Sequence, residues 1–214
     1  GGSFNPNKTN DFDRTTPDDN TIRVRAVVSV DARSQTEYGT LRSYIAGGFQ
    51  STNDARGEIY APRAFVQLGG FTWGLAQSFY DFFSFPAYSN QFRIVGSDTG
   101  GAGDAVAAYT AKFGNGLSAT ISIEDPTIRR TTIVGAGGYI SGPYFPDLVA
   151  NLRVDQAWGS AQIMGGLHQV AAQYYGATPG TGHPDDTFGV AVGAGLQINL
   201  PMLGKGDSIA VEAS

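Results

Sequence analysis

Apolar residues recur at every second position through most of this 214-residue chain. A period of two is that of a β-strand whose two faces meet different surroundings. The stretch from Ala107 to Asp125 repeats the pattern on both sides of Gly114-Asn115-Gly116, a sequence typical of a tight hairpin turn. The pattern therefore predicts an all-β chain. The alternating apolar residues of this hairpin are Ala107, Tyr109, Ala111, Phe113, Leu117, Ala119, Ile121 and Ile123.

The same period predicts about ten strands along the chain. We expect them near Thr21–Ser34, Thr40–Phe49, Arg63–Gly69, Thr72–Asp81, Asp104–Phe113, Leu117–Glu124, Asp147–Ala157, Ala161–Val170, Thr187–Leu200 and from Asp207 onward.

The connections between these strands alternate in length. A Greek-key sandwich gives no reason for every second connection to be a tight turn, whereas an up-and-down antiparallel meander does. In transmembrane β-barrels the short turns and the long loops lie at opposite ends. The wiring thus favours a transmembrane up-and-down β-barrel. The short links are residues 35–39, 70–71, 114–116, 158–160 and 201–206, and the long ones are 50–62, 82–103, 126–146 and 171–186.

A barrel would place the apolar side chains against lipid and the alternate side chains in a wet interior. A tilted strand of about ten residues spans roughly the 25 Å hydrocarbon band. Ser118, Thr120, Ser122 and Glu124 would then face the interior. Two alternatives remain open: a soluble or surface-attached β-sandwich that binds carbohydrate or protein through its long loops, and a barrel that serves as an adhesion platform or enzyme.

Composition excludes several classes of function. The formal net charge is −5 and the pI is about 4.9, so no basic footprint for nucleic acid exists. Cysteine is absent, and the two histidines, His168 and His183, lack the close spacing of a zinc pair. Asp98-Thr99-Gly100 matches the aspartic-protease triplet, but only one copy occurs, with loop-like flanks. We therefore expect no enzyme activity, no cofactor and no metal.

The period of two assigns the charged side chains to one face. An arginine or lysine on the lipid face would cost about 2–4 kcal/mol at mid-depth. The residues predicted to line the interior wall are Arg23, Arg25, Arg33, Arg42, Arg63, Lys112 and Arg153. The long loop at residues 82–103 carries Asp98 and is flanked by Asp81 and Asp104. If this loop folded against the arginines, its acidic residues and the arginines would together create an electric field across the interior of the barrel.

Several long blocks resemble the general porins of alphaproteobacterial outer membranes, in the same order. The resemblance implies that residues 1–214 are part of one barrel domain of about 16 strands, whose third long loop, residues 82–103, folds inward as the constriction. It also implies a homotrimer in outer-membrane lipid and lipopolysaccharide that passes small hydrophilic solutes and ions. One departure is Leu75, where relatives often have a basic residue, so one wall charge is expected to be missing. Since the last predicted strand stops short, we expect a longer protein. The blocks are VDARSQTEYGTLRSYI, RAFVQLGGFTWGLAQSFYDFF, SDTGG, AYTAKFGNGLSATISIEDPTIRR, PDLVANLRVDQAWGSAQIMGGLHQV and AVGAGLQINLPMLGKGD.

Overall fold

A computed structural model describes residues 23–52, 57–82, 103–129, 145–175 and 178–214. Within these residues ten strands form one antiparallel sheet, whose spatial order is the sequence order. Two short 3₁₀ helices, Pro126–Arg129 and Pro179–Thr181, lie in the connections. The strands are β1 (Arg23–Thr36), β2 (Gly39–Thr52), β3 (Glu58–Leu68), β4 (Phe71–Ala76), β5 (Asp104–Gly114), β6 (Leu117–Glu124), β7 (Asp147–Gln156), β8 (Gly159–Val170), β9 (Thr187–Asn199) and β10 (Ser208–Ala213).

The meander confirms the predicted all-β fold and its strand order. Every strand pairs with its sequence neighbour, as tight turns and longer connections between antiparallel strands require. The turn between β5 and β6 contains Asn115 at φ 49° between two glycines of positive φ. Asparagine tolerates this left-handed conformation better than most residues, so the turn closes with little strain. The sandwich alternative is not observed, because all ten strands belong to a single sheet.

Two strand boundaries differ from the sequence prediction by five residues, and the others differ by less. β3 begins at Glu58 rather than Arg63, because its pairing with β2 continues past an irregularity opposite Ala46–Gly48. Pro62 lies at this irregularity, where a residue without an N–H group is tolerated. The connection from β2 to β3 is therefore shorter than predicted. β4 ends at Ala76 rather than Asp81, and the chain then leaves the sheet.

One face of the sheet, the apolar face, carries large exposed hydrophobic side chains. Val28 is 70 % exposed, Ile121 62 % and Val190 75 %. The register continues this face across neighbouring strands, since Ile121 pairs with Tyr109 and Tyr109 with Phe71. An apolar surface of this size without charged side chains on its described strands is unfavourable in water and suits a hydrocarbon environment.

The opposite face, the polar face, carries the charged side chains and the only buried hydrophobic cluster of the described residues. That cluster is formed by Tyr80, Phe82, Val149 and Met164, with exposed fractions of 2–6 %. Two of its members lie on β7 and β8, and the other two come from the segment after β4. The core thus lies on the polar side of the sheet, under a segment of the chain that crosses it.

Leu75 lies on the apolar face. It pairs with Ala64 of β3, and its neighbour two residues earlier, Trp73, pairs with Val66. The expectation that a basic residue is missing from the interior wall at Leu75 is therefore wrong, because a charge at this position would point away from the wall.

No helix among the described residues is long and apolar enough to cross a membrane.

Candidate functional site

Two arginines of the polar face share one carboxylate. Arg33 donates from Nε and Nη2 to the two carboxylate oxygens of Asp31, at 3.2 and 2.8 Å. Arg42 donates in the same way from the neighbouring strand, at 3.0 and 2.9 Å, and its Nη1 donates to Gln67 at 3.1 Å. Because two guanidiniums meet a single carboxylate, the group keeps a net charge of about +1.

Arg25 lies farther along β1 on the same face. Its guanidinium donates to the side-chain oxygen of Gln50, at 3.2 and 2.9 Å from Nε and Nη2. Its Cζ lies 3.7 Å from the ring centroid of Tyr60, a cation–π distance. Gln50 in turn donates to Glu58 at 3.0 Å. The ring and the amide fix the position of this guanidinium, and no described carboxylate forms an ion pair with it.

Arg63 lines a cavity of about 430 Å³ together with Asp81. Its Nη1 donates to the carbonyl of Pro62 at 2.8 Å. Phe82 and Arg153 also line this cavity. The structure therefore brings two predicted wall arginines, Arg63 and Arg153, and one predicted loop acid, Asp81, to the same space. We call Arg25, Arg33, Arg42 and Arg63 of β1–β3 the basic sector.

Residues Gln77–Phe82, the crossing segment, run over the polar face beyond the end of β4. Glu124 holds the start of this segment, because its carboxylate accepts hydrogen bonds from the Ser78 hydroxyl at 2.5 Å and the Phe79 N–H at 2.9 Å. The Ser122 hydroxyl donates to the same carboxylate at 2.6 Å. Glu124 is 1 % exposed. The expectation that Glu124 faces a wet interior is therefore wrong, since the crossing segment covers it.

The carbonyls of the crossing segment are satisfied by side chains of β7 and β8. The amide of Asn151 donates to the Phe79 carbonyl at 2.6 Å. The amide of Gln162 lies 3.3–3.5 Å from the carbonyls of residues 79–81, and Arg153 Nη1 lies 3.4 Å from the Phe82 carbonyl. A segment outside a sheet has no strand partners for its backbone, so buried side-chain donors are required to hold it there.

Two of the three aromatic residues of the crossing segment, Tyr80 and Phe82, occupy space left by glycines of β9. A Cβ at Gly195 would lie 2.2–2.9 Å from atoms of Phe82. A Cβ at Gly193 would lie 2.9 Å from Met164 and 3.2 Å from the Tyr80 hydroxyl oxygen. Only a residue without a side chain allows rings this close to the backbone. The glycines in β9 thus create the surface that receives Tyr80 and Phe82.

The remaining predicted residues lie outside the basic sector. Arg153 pairs with Asp155 at 2.9 Å and lies 5.3 Å from the Phe82 ring, so it supports the crossing segment rather than joining the basic sector. Lys112 is exposed on β5 opposite Ser118. Asp104, 1 % exposed, begins β5 opposite Ala76. The Arg23 side chain, Asp98 and residues 83–102 of the predicted constriction loop lie outside the described residues.

Both histidines have local partners. His168 Nδ1 lies 2.6 Å from Asp147 Oδ1, and His183 Nδ1 lies 2.7 Å from the carbonyl of Pro184. Among the described residues no group of three or more histidine, cysteine or acidic side chains is arranged to hold a metal ion. The polar face therefore presents charge and hydrogen-bonding groups, without an evident catalytic or metal centre in that part of the chain.

A search against known protein families finds a match over residues 1–214 to the family described as "Porin subfamily". The chain belongs to this porin family. Membership confirms the resemblance seen in the sequence and, with the relatives below, indicates the bacterial outer membrane. The lipid of this membrane thus accounts for the exposure of the apolar face of the porin.

The porin is similar to proteins named porin Omp2b from Brucella canis, Brucella suis and Brucella abortus. Each is 26 % identical over 180 residues, which cover 78 % of this chain and 49 % of the relative. The fold is similar to that of the outer membrane channel DcaP of Acinetobacter baumannii, with a TM-score of 0.60 at 18 % identity. That match covers 82 % of this chain and 47 % of the channel. The porin chain spans about half the length of these relatives, and its ten strands form part of a barrel.

Sequence reasoning missed the residues that hold the crossing segment. It assigned Glu124 to the polar side but not to a buried position, and it gave Tyr80 and Phe82 no role. One signal was present: β9 carries glycine at alternate positions, including Gly193 and Gly195, on the face opposite its valines. Such a smooth strip indicates a surface that another part of the chain approaches closely.

Proposed function

We propose that the full-length protein is a passive diffusion pore of the bacterial outer membrane for small hydrophilic solutes and ions. The observation that carries this proposal is the crossing segment, which lies on the polar face of the sheet while the apolar face stays exposed. A soluble protein would bury its apolar face instead. Family membership implies a channel rather than an enzyme.

The crossing segment would be the root of a constriction formed by residues 82–103. Its anchoring to β6–β9 supports this proposal, because it directs the chain across the interior instead of outward. The cavity shared by Arg63 and Asp81 would then lie between the basic sector and the constriction. Opposite charges on the two sides of a narrow passage impose a transverse field on permeating ions.

The residues proposed to line this passage are those of the basic sector, with Arg23 and Lys112 at its margins. Arg153 acts at the opposite side, under Phe82. The acids proposed to face the basic sector are Asp81, Asp98 and Asp104. Selectivity would follow from the width of the passage and from these charges, with no cofactor.

Ion selectivity of the reconstituted full-length protein tests this proposal. Reversal of Arg42 or Arg63 to glutamate should shift the reversal potential in a salt gradient towards that of the cation, because the passage loses positive charge. Lys205→Glu makes the same change of charge in the turn between β9 and β10, and should shift it much less. An absence of conductance in bilayers would contradict the proposed pore. Equal shifts in all three variants would contradict the proposed role of Arg42 and Arg63 in its passage.

The full-length protein would assemble as a homotrimer in a membrane leaflet that contains lipopolysaccharide. The resemblance to general porins supports this assembly, and the exposed apolar face offers the surface for neighbouring subunits and lipid. Native mass spectrometry of the detergent-solubilised full-length protein should give three times the subunit mass. A monomer that conducts would refute the trimer while leaving the pore intact.

A further inference from the structure

The register of β1–β3 gathers cationic, aromatic and amide side chains in two adjacent rows of the polar face. Each row consists of three residues, one from each strand, that are paired directly with their neighbours. The second row is displaced from the first by two residues along each strand. The crossing segment is anchored instead on β6–β9. The first row contains Asp31, Tyr44 and Phe65, and the second contains Arg33, Arg42 and Gln67. These six residues are the arginine–aromatic site.

The site has more positive charge than its own carboxylate can neutralise. Asp31 accepts four hydrogen bonds from Arg33 and Arg42, and this fixes both guanidiniums in orientation. The hydrogen bonds of Arg33 use only Nε and Nη2, so its Nη1 has no protein acceptor among the described residues. The Arg33 side chain is 61 % exposed. A bound anion could therefore accept hydrogen bonds from a guanidinium that is already positioned.

The site also has a flat apolar part. The rings of Tyr44 and Phe65 are stacked, with centroids 5.2 Å apart and planes at 27°. The Cζ atom of Arg42 lies 5.4 and 5.3 Å from these two centroids. The next residue in this row is Gly74, which has no side chain to cover Phe65 from that direction. Phe65 and Gln67 both line the cavity of about 430 Å³, so the edge of the site opens into the proposed passage.

We propose that the arginine–aromatic site binds small carboxylates that carry a flat apolar group. The carboxylate is held by the guanidinium of Arg33, and the flat group lies against Tyr44 and Phe65. An inorganic anion or a short aliphatic acid would interact with the guanidinium but not with the aromatic rings. A neutral aromatic compound would interact with the rings but not with the guanidinium. This ligand class rests on the proposed pore function, because the site is reached from the interior of the barrel.

The test compares three solutes as inhibitors of the chloride current through the full-length protein in planar bilayers. Benzoate carries both features, acetate carries only the carboxylate, and benzyl alcohol carries only the ring. We expect benzoate to reduce the current by half at a concentration about fivefold lower than acetate, the factor that one aromatic contact supplies. Benzyl alcohol should inhibit more weakly than benzoate.

Two variants assign the preference to the site. Phe65→Leu should lower the ratio between acetate and benzoate to less than about twofold, because it removes a ring and keeps the apolar volume. Arg33→Gln should weaken benzoate and acetate by similar factors. Phe49→Leu is the matched control, since Phe49 lies on the apolar face of β2 and is 69 % exposed. It should leave the ratio unchanged.

Equal inhibition by benzoate and acetate in the unmodified protein would overturn the proposal. A ratio that persists in Phe65→Leu would overturn it too. A protein without conductance would refute the pore, and the site would then be decided by saturation-transfer NMR of benzoate with the detergent-solubilised protein. The site would be rejected, independently of conductance, by either of two results. One is the absence of signal transfer from the unmodified protein to the benzoate ring, and the other is a transfer of the same size from the Phe65→Leu variant.

Discussion

Replacement of Gly195 by alanine should displace the crossing segment from β9. The new Cβ would lie 2.2 Å from Phe82 Cδ1 and 2.4 Å from Cγ, whereas ordinary van der Waals contact begins at 3.4 Å. The shortest contact is thus about 1.2 Å too close. Gly195 is not among the described glycines with positive φ, so alanine suits the backbone and the conflict is with the ring alone.

The displacement of Phe82 has an approximate energetic cost. Phe82 is 6 % exposed, and burial of a phenylalanine side chain stabilises by roughly 1.5–3 kcal/mol. Loss of about 2 kcal/mol of this contribution lowers the population of the docked segment relative to displaced ones by about 30-fold. A ring that leaves β9 moves towards the cavity that Arg63 also lines, so we expect the passage to become narrower and less rigid.

Single-channel recording of the full-length protein measures this effect. Gly195→Ala should lower the conductance and increase the open-channel noise. Gly189→Ala is the matched control on the same strand, because its Cβ would meet nothing closer than 3.7 Å. Addition of Phe82→Ala to Gly195→Ala removes the contacts at 2.2 and 2.4 Å and leaves only the contact with Cβ of residue 82 at 2.9 Å. The effect of Gly195→Ala should therefore be smaller in the presence of Phe82→Ala. If Gly195→Ala and Gly189→Ala gave the same conductance and noise, the assignment of Phe82 to this groove would be wrong.

Two further changes examine the anchor and the lipid-facing surface. Glu124→Ala removes the acceptor of the Ser78 hydroxyl and the Phe79 N–H, and should destabilise the docked segment by about 1–3 kcal/mol, seen as more frequent brief closures. Glu124→Gln keeps one acceptor oxygen and should lie between that variant and the unmodified protein; equal behaviour of both variants would reject the anchor. Ile121→Arg, on the apolar face, should lower folding stability in lipid vesicles by about 2–4 kcal/mol, while Ser29→Arg, at an exposed position of the polar face, should cost less. Equal losses in denaturant titrations would contradict the assignment of faces.

The strands and their faces could be predicted from the sequence because both depend on local pattern. A period of two needs no information about distant residues, and the tight turns fix which strands are neighbours. The residues of the basic sector were therefore assigned to one face from parity alone. The Arg33–Asp31–Arg42 group was not predicted. It depends on the register between β1 and β2, which the structure gives and which the turn at residues 37–38 determines.

The end of β4 could not be predicted in this way. Residues after Ala76 continue a pattern that alternates well enough to extend the strand to Asp81. The chain leaves the sheet because partners about 45 residues away, above all Glu124, bind its backbone and side chains. A hydrophobic pattern depends only on residues that are close in sequence. It therefore contains no information about hydrogen bonds from distant residues that compete with strand pairing. The burial of Glu124 was missed for the same reason.

The polar face is asymmetric because the sizes of its side chains differ between sectors. On β1–β3 the side chains are arginines and aromatics that reach away from the sheet, whereas β9 offers Gly193 and Gly195. A segment that crosses the interior packs most closely against a part of the wall that has no side chains. Against the arginines, the long side chains would prevent close packing, and burial of the guanidiniums would carry a desolvation cost. The glycines accommodate Tyr80 and Phe82 on one side of the polar face. In the proposed pore, the passage would then lie on the other side, beside the arginines. If this is correct, bulk added at Gly193 or Gly195 should alter ion selectivity as well as conductance, because the displaced segment approaches the basic sector.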